Sequence, residues 1–301
     1  MLGSTARSQP APATTRPPPD GAAVNAENEF SYNFFQYSIV DHVFTFGYAA
    51  MAAGLVYFLV TSRNALPRYR LASSLSAVVM VSAFLELLVI SLQWQRTFVW
   101  DGSAYVVGDQ LFSNGFRYMN WSIDVPALLV QLLVVVGVTG VAFRRGVVIF
   151  VAAGLAMVYT GYVGQFYEVD RSAPFWVWGA VSTVFFAVIL LVVFRTTYGN
   201  ASRLPAEVRP LVKAVFWLLA VTWMLYPGAY LMPAMWDSAD GVVARQITYT
   251  IADVTSKVVY GVLLGIIAQR ISRLEGYGEA RAQQATALRG GVTEVDPPGR
   301  V

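Results

Sequence analysis

Residues 244–272 read ARQITYTIADVTSKVVYGVLLGIIAQRIS. This apolar stretch is long enough to cross a lipid bilayer as an α-helix, which takes about 20 residues. Asp253 and Lys257 lie near its middle, and because they are four residues apart they share one face of the helix. Ionisable side chains deep in a membrane are costly and usually mark a functional site. The stretch therefore predicts a membrane helix that carries a buried lysine and a buried carboxylate.

The overall composition also indicates a membrane protein. Of the 301 residues, 56% are hydrophobic and 13% are charged, whereas a soluble domain has roughly a quarter charged residues. Each apolar segment must be a helix, because a strand in lipid leaves backbone groups unpaired. The expected fold class is an all-α membrane protein, a bundle of seven transmembrane helices. The seven segments are residues 38–62, 71–94, 114–140, 146–168, 174–197, 209–236 and 244–272.

The parts outside the helices differ in character. The connection 95–113 between helices 2 and 3 has β-branched and aromatic residues on both sides of Asp101-Gly102, which predicts an extracellular β-hairpin. Residues 1–28 are rich in Pro, Ala, Thr and Ser and predict a disordered extracellular tail. The expected domain organisation is completed by a seven-helix domain at 29–273 and a polar cytoplasmic tail at 274–301.

Arginine and lysine are distributed unevenly between the two sides of the predicted bundle. The positive-inside rule places the richer side in the cytoplasm, so we expect the N-terminus outside and the C-terminus inside a bacterial cell membrane. The absence of cysteine and the single histidine exclude disulfides and histidine-rich metal sites. The net charge of +3, without a basic run, does not indicate a nucleic-acid partner. The richer side carries Arg63, Arg68, Arg70, Arg144, Arg145, Arg195, Arg203, Arg209, Lys213, Arg270 and Arg273.

Ionisable and amide side chains inside the predicted helices form a pattern. The ionisable ones are Glu86, Arg117, Asp124, Asp253 and Lys257. On helix 3, Arg117, Asn120, Asp124 and Gln131 follow a helical spacing and form one polar stripe. A polar stripe on an apolar helix faces the interior of the bundle. The simpler alternative is a set of interhelical hydrogen bonds that hold the bundle together, but such bonds rarely need a lysine at mid-membrane.

Lys257 indicates the chemistry of the site. A buried amine loses its charge readily and becomes a nucleophile toward carbonyl groups, so a Schiff base with an aldehyde is the expected reaction. A protonated Schiff base needs a counter-ion, which Asp124 or Asp253 can supply. Nearby aromatic residues would form a slot for a long flat polyene, and Pro227-Gly228 would kink helix 6 beside it. These aromatic residues are Trp121, Trp223, Tyr226 and Tyr230.

Several motifs resemble one family of membrane proteins. Helix 3 reads Arg117-Tyr-Met-Asn-Trp-Ser-Ile-Asp-Val-Pro126, helix 6 reads Leu225-Tyr-Pro-Gly-Ala-Tyr230, and helix 7 reads Ala252-Asp-Val-Thr-Ser-Lys257. Together with Ser76-Ala-Val-Val-Met-Val-Ser82 and Gly161-Tyr-Val-Gly-Gln-Phe-Tyr-Glu168, they resemble the microbial (type 1) rhodopsins over about residues 30 to 273. Asn120, Asp124 and Gln131 match the Asn-Asp-Gln signature of the light-driven sodium pumps in that family.

The resemblance implies a function and a cofactor. It implies all-trans retinal bound covalently to Lys257 as a protonated Schiff base, and light-driven outward transport of sodium, with protons moved when sodium is absent. Asp124 would be the counter-ion and proton acceptor, and Arg117 would separate the central site from the outer cavity. Asn120 and Asp253 would form the transient sodium site. The other central residues are Gln131, Ser82 and Glu86, and the retinal-binding residues are Lys257, Trp121, Trp223 and Tyr226.

The resemblance also implies an ion path and an assembly. Sodium would enter past Ser73, Ser76 and Gly265, and would leave past a group at the opposite side. The release group would comprise Glu168, Arg245 and one N-terminal acid, Glu27 or Glu29. His42 and Asp109 match positions near the subunit contact of a pentamer, although a satisfied interface histidine and a solvated loop carboxylate are the simpler interpretations. Besides membrane lipid and other copies of the chain, no obligatory transducer is expected.

Glu86 departs from the sodium-pump pattern, because an apolar residue usually occupies this position. We expect its carboxyl to be protonated and to donate a hydrogen bond into the cluster of Asp124 and Asn120. An outward proton pump, a photosensor and a chloride pump remain as alternative functions. Gln131 disfavours a proton pump, which normally has a carboxylic donor at this position, and the charge of Asp124 disfavours a chloride site.

Overall fold

The computed structural model describes residues 25–278. Within them, seven helices are long and apolar enough to cross a membrane, as the sequence predicts. They are α1 (Phe34–Thr61), α2 (Arg70–Thr97), α3 (Gly115–Val135), α4 (Gly140–Gln165), α5 (Ala173–Ala201), α6 (Arg209–Met235) and α7 (Ala239–Leu274). The predicted segments lie on these helices, and their ends differ from the observed ones by a few residues.

Local interactions explain where some helices begin and end. α1 begins four residues earlier than predicted because Asn33 and Gln36 form a capping box, in which each side chain accepts a hydrogen bond from the backbone amide of the other. α3 ends before residue 140 because Gly137 and Gly140 adopt positive φ angles of 73° and 61°. These two glycines make the tight connection from α3 to α4.

Two helices depart from regular α geometry beside the site. α6 is interrupted at Met224, between Arg209–Trp223 and Leu225–Met235. Pro227 lacks the amide that would bond to the carbonyl four residues earlier, which agrees with the expected kink. α7 contains a π-helical turn at Val254–Val259 that includes Lys257. Such turns are frequent at functional sites, because they change the direction in which a side chain points.

The predicted hairpin is present between α2 and α3. Strands β1 (Phe98–Trp100) and β2 (Tyr105–Val107) pair antiparallel, with Val99 opposite Val106. Asp101 closes the turn, because its carboxylate accepts hydrogen bonds from the backbone amides of Ser103 and Ala104. These amide donors hold the pKa of Asp101 below its ordinary value. We call this end of the bundle the hairpin end.

An N-terminal segment packs across the hairpin end, and it corrects one predicted boundary. Ala26–Glu29 forms a 3₁₀ turn, and Tyr32 pairs with Tyr105 of the hairpin through two backbone hydrogen bonds. The composition predicts residues 25–28 to be part of the disordered tail, but Asn25, Ala26 and Glu27 are buried. Composition does not reveal this, because the partners of these residues lie on distant helices. The remainder of the expected tail, 1–24, lies outside the described residues, as does 279–301 of the C-terminal tail.

The site lies around α3, at the centre of the bundle. In the most apolar stretch of α3, 67% of the residues are buried, against 17% in α5, which is largely exposed to lipid. The polar stripe predicted on α3 faces inward, since Arg117, Asn120, Asp124 and Gln131 are all buried. α3 therefore presents its polar residues to α2 and α7.

Candidate functional site

Lys257 lies at the centre of the predicted cluster. Its Nζ is 2.8 Å from Asp253 Oδ1 and 3.1 Å from Asp124 Oδ2, and it donates a hydrogen bond of 3.0 Å to Asn120 Oδ1. The Asn120 amide in turn donates to Ser82 Oγ at 2.6 Å. All but Ser82 are buried. The structure therefore brings together the lysine, two carboxylates and the amide that the helical spacing predicted.

Arg117 adds a second positive charge on the hairpin side of the cluster. Its Nη1 is 3.0 Å from Asp253 Oδ2 and 3.5 Å from Glu86 Oε1, and it is fully buried. The guanidinium lies over the ring of Tyr249, 4.8 Å from the ring centre. Asp253 thus lies between Arg117 and Lys257 and binds both cations.

Glu86 belongs to the cluster, but the interaction differs from the expected one. Its carboxyl is buried beside Arg117, and neither of its oxygens has a hydrogen-bond partner within residues 25–278. The expected hydrogen bond to Asp124 or Asn120 is therefore absent from this structure. The reason is geometric, because Asn120 is already bonded to Ser82 and Lys257, and the carboxyl of Glu86 lies toward Arg117.

A cavity of about 310 Å³ extends from Lys257 between α3, α4, α5 and α6. Its volume is in the range of small-molecule sites. Trp121, Trp223 and Tyr226 line it, as predicted, and its polar end is formed by Lys257 and Asp124. The lining includes further residues that the sequence analysis did not assign, among them Met157, Phe186, Tyr249 and Ser256.

Tyr226 connects this cavity to the charged cluster. Its hydroxyl donates to Asp253 Oδ1 at 2.8 Å and lies 3.0 Å from Ser256 Oγ. Its ring contacts that of Trp121 with 5.0 Å between centres. Tyr226 therefore fixes the orientation of Asp253 while it forms part of the apolar wall.

The residues predicted on the uptake path meet at the opposite end of the bundle. Ser76 Oγ donates to Gln131 Oε1 at 3.2 Å. Ser73, Ser76 and Gly265 line a second, small cavity between α1, α2 and α7. The Nε2 atom of Gln131 is buried and has no hydrogen-bond partner among the described residues.

The residues predicted on the release side form a buried ion-pair group at the hairpin end. Arg245 Nη2 is 2.6 Å from Glu168 Oε2, and Arg245 Nη1 is 3.2 Å from Glu27 Oε1. Asn25 also donates to Glu168, through its side-chain amide. Burial raises the pKa of the Glu168 carboxyl, while Arg245 opposes this effect. Glu29 is exposed, so the structure distinguishes the two candidate N-terminal acids in favour of Glu27.

Gln246 and Asn114 also contact the site, although the sequence pattern does not single them out. Gln246 Oε1 accepts from Arg117 Nη2 at 2.9 Å, and Gln246 Nε2 donates to Glu27 Oε1 at 2.6 Å. Asn114 Nδ2 also donates to Glu27 Oε1, at 2.8 Å. Gln246 lies seven residues before Asp253, which is about two helical turns. This spacing places both side chains on the same face of α7, and it could have identified Gln246 from the sequence.

The two residues predicted at a subunit contact lie at the surface. His42 on α1 and Asp109 after the hairpin are both exposed. Their exposure leaves them accessible to a neighbouring molecule, and their role in assembly stays a prediction.

Comparison with known proteins agrees with this arrangement. The family model described as bacteriorhodopsin-like protein matches residues 38–271. The chain belongs to the bacteriorhodopsin-like family. Members of this family are light-driven ion pumps, which confirms the expectation that the protein is a transporter and not an enzyme.

Individual relatives cover most of the chain. Bacteriorhodopsin-I of Haloarcula marismortui is 26% identical over 223 residues, which are 72% of this chain and 86% of the relative. Bacteriorhodopsin of Halobacterium salinarum is 27% identical over 251 residues, 83% of this chain and 89% of the relative. The crystal structure of xanthorhodopsin, described as a light-driven ion pump with dual chromophore, has a TM-score of 0.76 at 31% identity, covering 82% of this chain and 98% of that chain. The crystal structure of a thermophilic rhodopsin has a TM-score of 0.77 at 30% identity, with the same coverage.

The residues of this bacteriorhodopsin-like protein fit the retinal that its family implies on a lysine. The chain has two lysines, and Lys213 is exposed on α6 whereas Lys257 is buried at the polar end of the cavity. The cavity is mainly aromatic and aliphatic away from that end, as a polyene requires. Lys257 is therefore the lysine that fits the cofactor.

Proposed function

We propose that the protein is a light-driven outward sodium pump that carries all-trans retinal on Lys257 and moves protons when sodium is absent. The observation that carries the proposal is the position of Lys257 Nζ, within 3.1 Å of Asp124, Asp253 and Asn120. A switchable positive charge there lies beside oxygen atoms that can bind a cation.

The residues around the cavity would hold the cofactor. Trp121, Trp223 and Tyr226 would contact the polyene, and Lys257 would bind it covalently. When bound, retinal supplies light absorption and a photoisomerisation that lowers the proton affinity of the nitrogen it shares with Lys257.

Asp124 is the proton acceptor in this proposal. Its Oδ2 is 3.1 Å from the Lys257 nitrogen, which is within reach for a direct transfer. Before transfer, the positive nitrogen repels a cation in the same low-dielectric space. After transfer, the nitrogen and Asp124 are both neutral and this repulsion is absent. Return of the proton restores the barrier behind the ion.

Asn120 and Asp253 are the proposed transient sodium ligands. In this structure each has an oxygen atom within 3.0 Å of the Lys257 amine nitrogen. Loss of the proton would remove the positive charge that attracts these two oxygens, and oxygen atoms are the type of ligand that hard cations prefer. Sodium would reach them from the cavity at Ser73, Ser76 and Gly265.

The proposed direction of transport depends on the groups at the two ends. Arg117 blocks the hairpin side of the cluster with a fixed positive charge, and the group of Glu27, Glu168 and Arg245 lies beyond it. At the opposite end Gln131 is a neutral amide, which cannot resupply a proton as a carboxylic acid would. The positive-inside rule puts the hairpin end outside the cell, so the ion leaves outward.

An outward proton pump is the second candidate. The same 3.1 Å separation between Asp124 and Lys257 would serve it equally well. The absence of a carboxyl group at position 131 is the feature that favours sodium. We also propose a homo-oligomer, a pentamer with His42 and Asp109 near the subunit contact, embedded in a bacterial cell membrane.

Illumination of an unbuffered suspension of cells that make the protein tests the function. Outward sodium transport makes the cell interior negative, so protons enter passively and the medium becomes alkaline. A protonophore should enlarge this signal, and replacement of sodium by potassium should abolish the alkaline signal. The Asp124→Asn variant should remove the signal in either salt.

Other outcomes would contradict the sodium assignment. Light-driven acidification in sodium that a protonophore abolishes would identify an outward proton pump. Normal sodium efflux by Asp124→Asn would overturn the role of this residue as proton acceptor. A coloured protein without transport in either salt would support a photosensor.

A further inference from the structure

Two buried groups of charged residues lie along the axis of the bundle. The inner group is Glu86, Arg117, Asp124, Asp253 and Lys257, and the outer group is Glu27, Glu168 and Arg245. Each group contains one more acid than base. A hydrogen-bonded path joins the two groups. It runs from Arg117 to the uncharged side chain of Gln246 and from there to Glu27.

Both donors of the Gln246 amide and its oxygen take part in this connection. Its oxygen accepts from Arg117 Nη2 at 2.9 Å, and its nitrogen donates to Glu27 Oε1 at 2.6 Å and to Asn114 Oδ1 at 3.2 Å. Gln246 is 0% exposed, as are Arg117 and Glu27. Because these side chains have no exposed surface, each loses a strong partner if the amide is removed.

An amide is the side chain suited to this position. It accepts from a cation on one side and donates to an anion on the other, and it adds no net charge. A carboxylate here would bind Arg117 but repel Glu27, and an ammonium would do the reverse. An apolar side chain would leave Arg117 and Glu27 each short of a partner and free to pair directly with each other.

We propose that Gln246 is a positioning residue that couples the inner and outer groups: it orients Arg117 against Asp253 and at the same time anchors Glu27, and with it the N-terminal segment, in the hairpin end. This rests on the proposed pump, whose exit path it describes. A cation that passes from Asp253 toward the outside must displace Arg117, and Gln246 then releases either Arg117 or Glu27. The N-terminal segment consequently responds to the state of the inner group.

Two substitutions of Gln246 distinguish its interaction with Arg117 from its interaction with Glu27. Gln246→Met has a similar length and removes both interactions. Gln246→Glu keeps an oxygen for Arg117 but places a negative charge against Glu27. Gln95→Met is the matched control, since the Gln95 amide donates to the Asp41 carboxylate at 2.8 Å on the exposed end of α2, outside the connection.

Two measurements report separately on the interaction of Gln246 with Glu27 and on its interaction with Arg117. Hydrogen–deuterium exchange of residues 25–33 in the dark reports on the Glu27 side. It should become about 10-fold faster in both Gln246 variants, which corresponds to about 1.4 kcal/mol. The absorption maximum of the retinal-loaded protein reports on the charge of Arg117 near Lys257. It should shift most in Gln246→Met, which leaves Arg117 without this partner, and less in Gln246→Glu, which keeps Arg117 in place but adds a negative charge beside it. Gln95→Met should change neither.

The proposal is overturned if Gln246→Met leaves the exchange of 25–33 unchanged, or if both variants shift the absorption maximum alike, as a packing defect would. Exchange can be measured without retinal, so a variant that does not bind the cofactor still gives a result.

The exchange pattern does not depend on which ion is transported. Failure of sodium efflux with the expected exchange would therefore contradict the pump assignment and leave the coupling role intact.

Discussion

At the residue scale, two lysines occur in the chain and only one of them is buried. Lys257 lies among three oxygen-bearing side chains, whereas Lys213 lies at the surface of α6, with its Nζ 5.4 Å from the ring centre of Tyr198. The difference in environment predicts a difference in chemistry, because a desolvated amine beside a cavity can react with an aldehyde and hold it there.

We expect Lys257→Met to remain colourless after addition of all-trans retinal. The reason is that this variant has no amine in the cavity. The measurement is the visible absorption spectrum of the purified protein. Lys213→Met is the control and should acquire full colour. If Lys257→Met formed a stable pigment and Lys213 had not reacted with retinal, the assignment of the cofactor-binding residue would be contradicted.

Among the described residues, neither carboxyl oxygen of Glu86 forms a hydrogen bond, and its ion-pair distance of 3.5 Å to Arg117 Nη1 is longer than the 3.1 Å between Asp124 and Lys257. A buried polar group without a partner costs about 1–3 kcal/mol. We therefore expect Glu86→Leu to raise the free energy of unfolding by about 1 kcal/mol. Denaturation in detergent measures this change. Glu86→Gln keeps a buried polar group, so its free energy of unfolding should not increase. A loss of several kcal/mol would instead mean that a charged Glu86 stabilises Arg117.

At the element scale, irregular points in α6 and α7 adapt the bundle to its site. The interruption of α6 at Met224 and the π-helical turn at Val254–Val259 lie on the two helices that carry Tyr226 and Lys257. The connection between these helices is also tight. A Cβ atom on Gly241 would clash with the carbonyl oxygen of Trp236, which belongs to the backbone and cannot rotate away.

Gly241→Ala should therefore destabilise the protein by about 2 kcal/mol, within the range of overpacked positions. The first turn of α7 or the connection before it must move to relieve the contact. Gly228→Ala is the matched control, because a Cβ there meets no atom of the described part of the chain within 4 Å, and alanine favours a helix over glycine. Thermal unfolding of the two variants tests this, and equal midpoints would contradict it.

At the scale of the whole molecule, the distribution of arginine predicts how the bundle lies in the membrane. The hairpin and the N-terminal segment lie at one end, and Arg203 and Arg209 lie near the turn between α5 and α6 at the other. Because the chain has no cysteine, single cysteines can be introduced to locate each end.

We expect a membrane-impermeant maleimide to label Gln110→Cys on intact cells. It should label Glu207→Cys only after the membrane is opened, because the positive-inside rule puts that turn in the cytoplasm. Both positions are exposed at the protein surface, so access depends on the membrane alone. The reverse labelling pattern would invert the orientation and the proposed direction of transport.

The sequence by itself determined the seven helices, the hairpin and the inner group. Hydrophobic length and helical spacing are local properties, so Asp253 and Lys257 were assigned to one face and Asn120 and Asp124 to another without coordinates. Only the tertiary structure decided which partners these groups choose. Glu86 lies against Arg117 and not against Asp124, Glu27 is buried while Glu29 is exposed, and Gln246 joins the two groups. Each of these depends on the packing of helices distant in the chain, which a one-dimensional pattern does not encode.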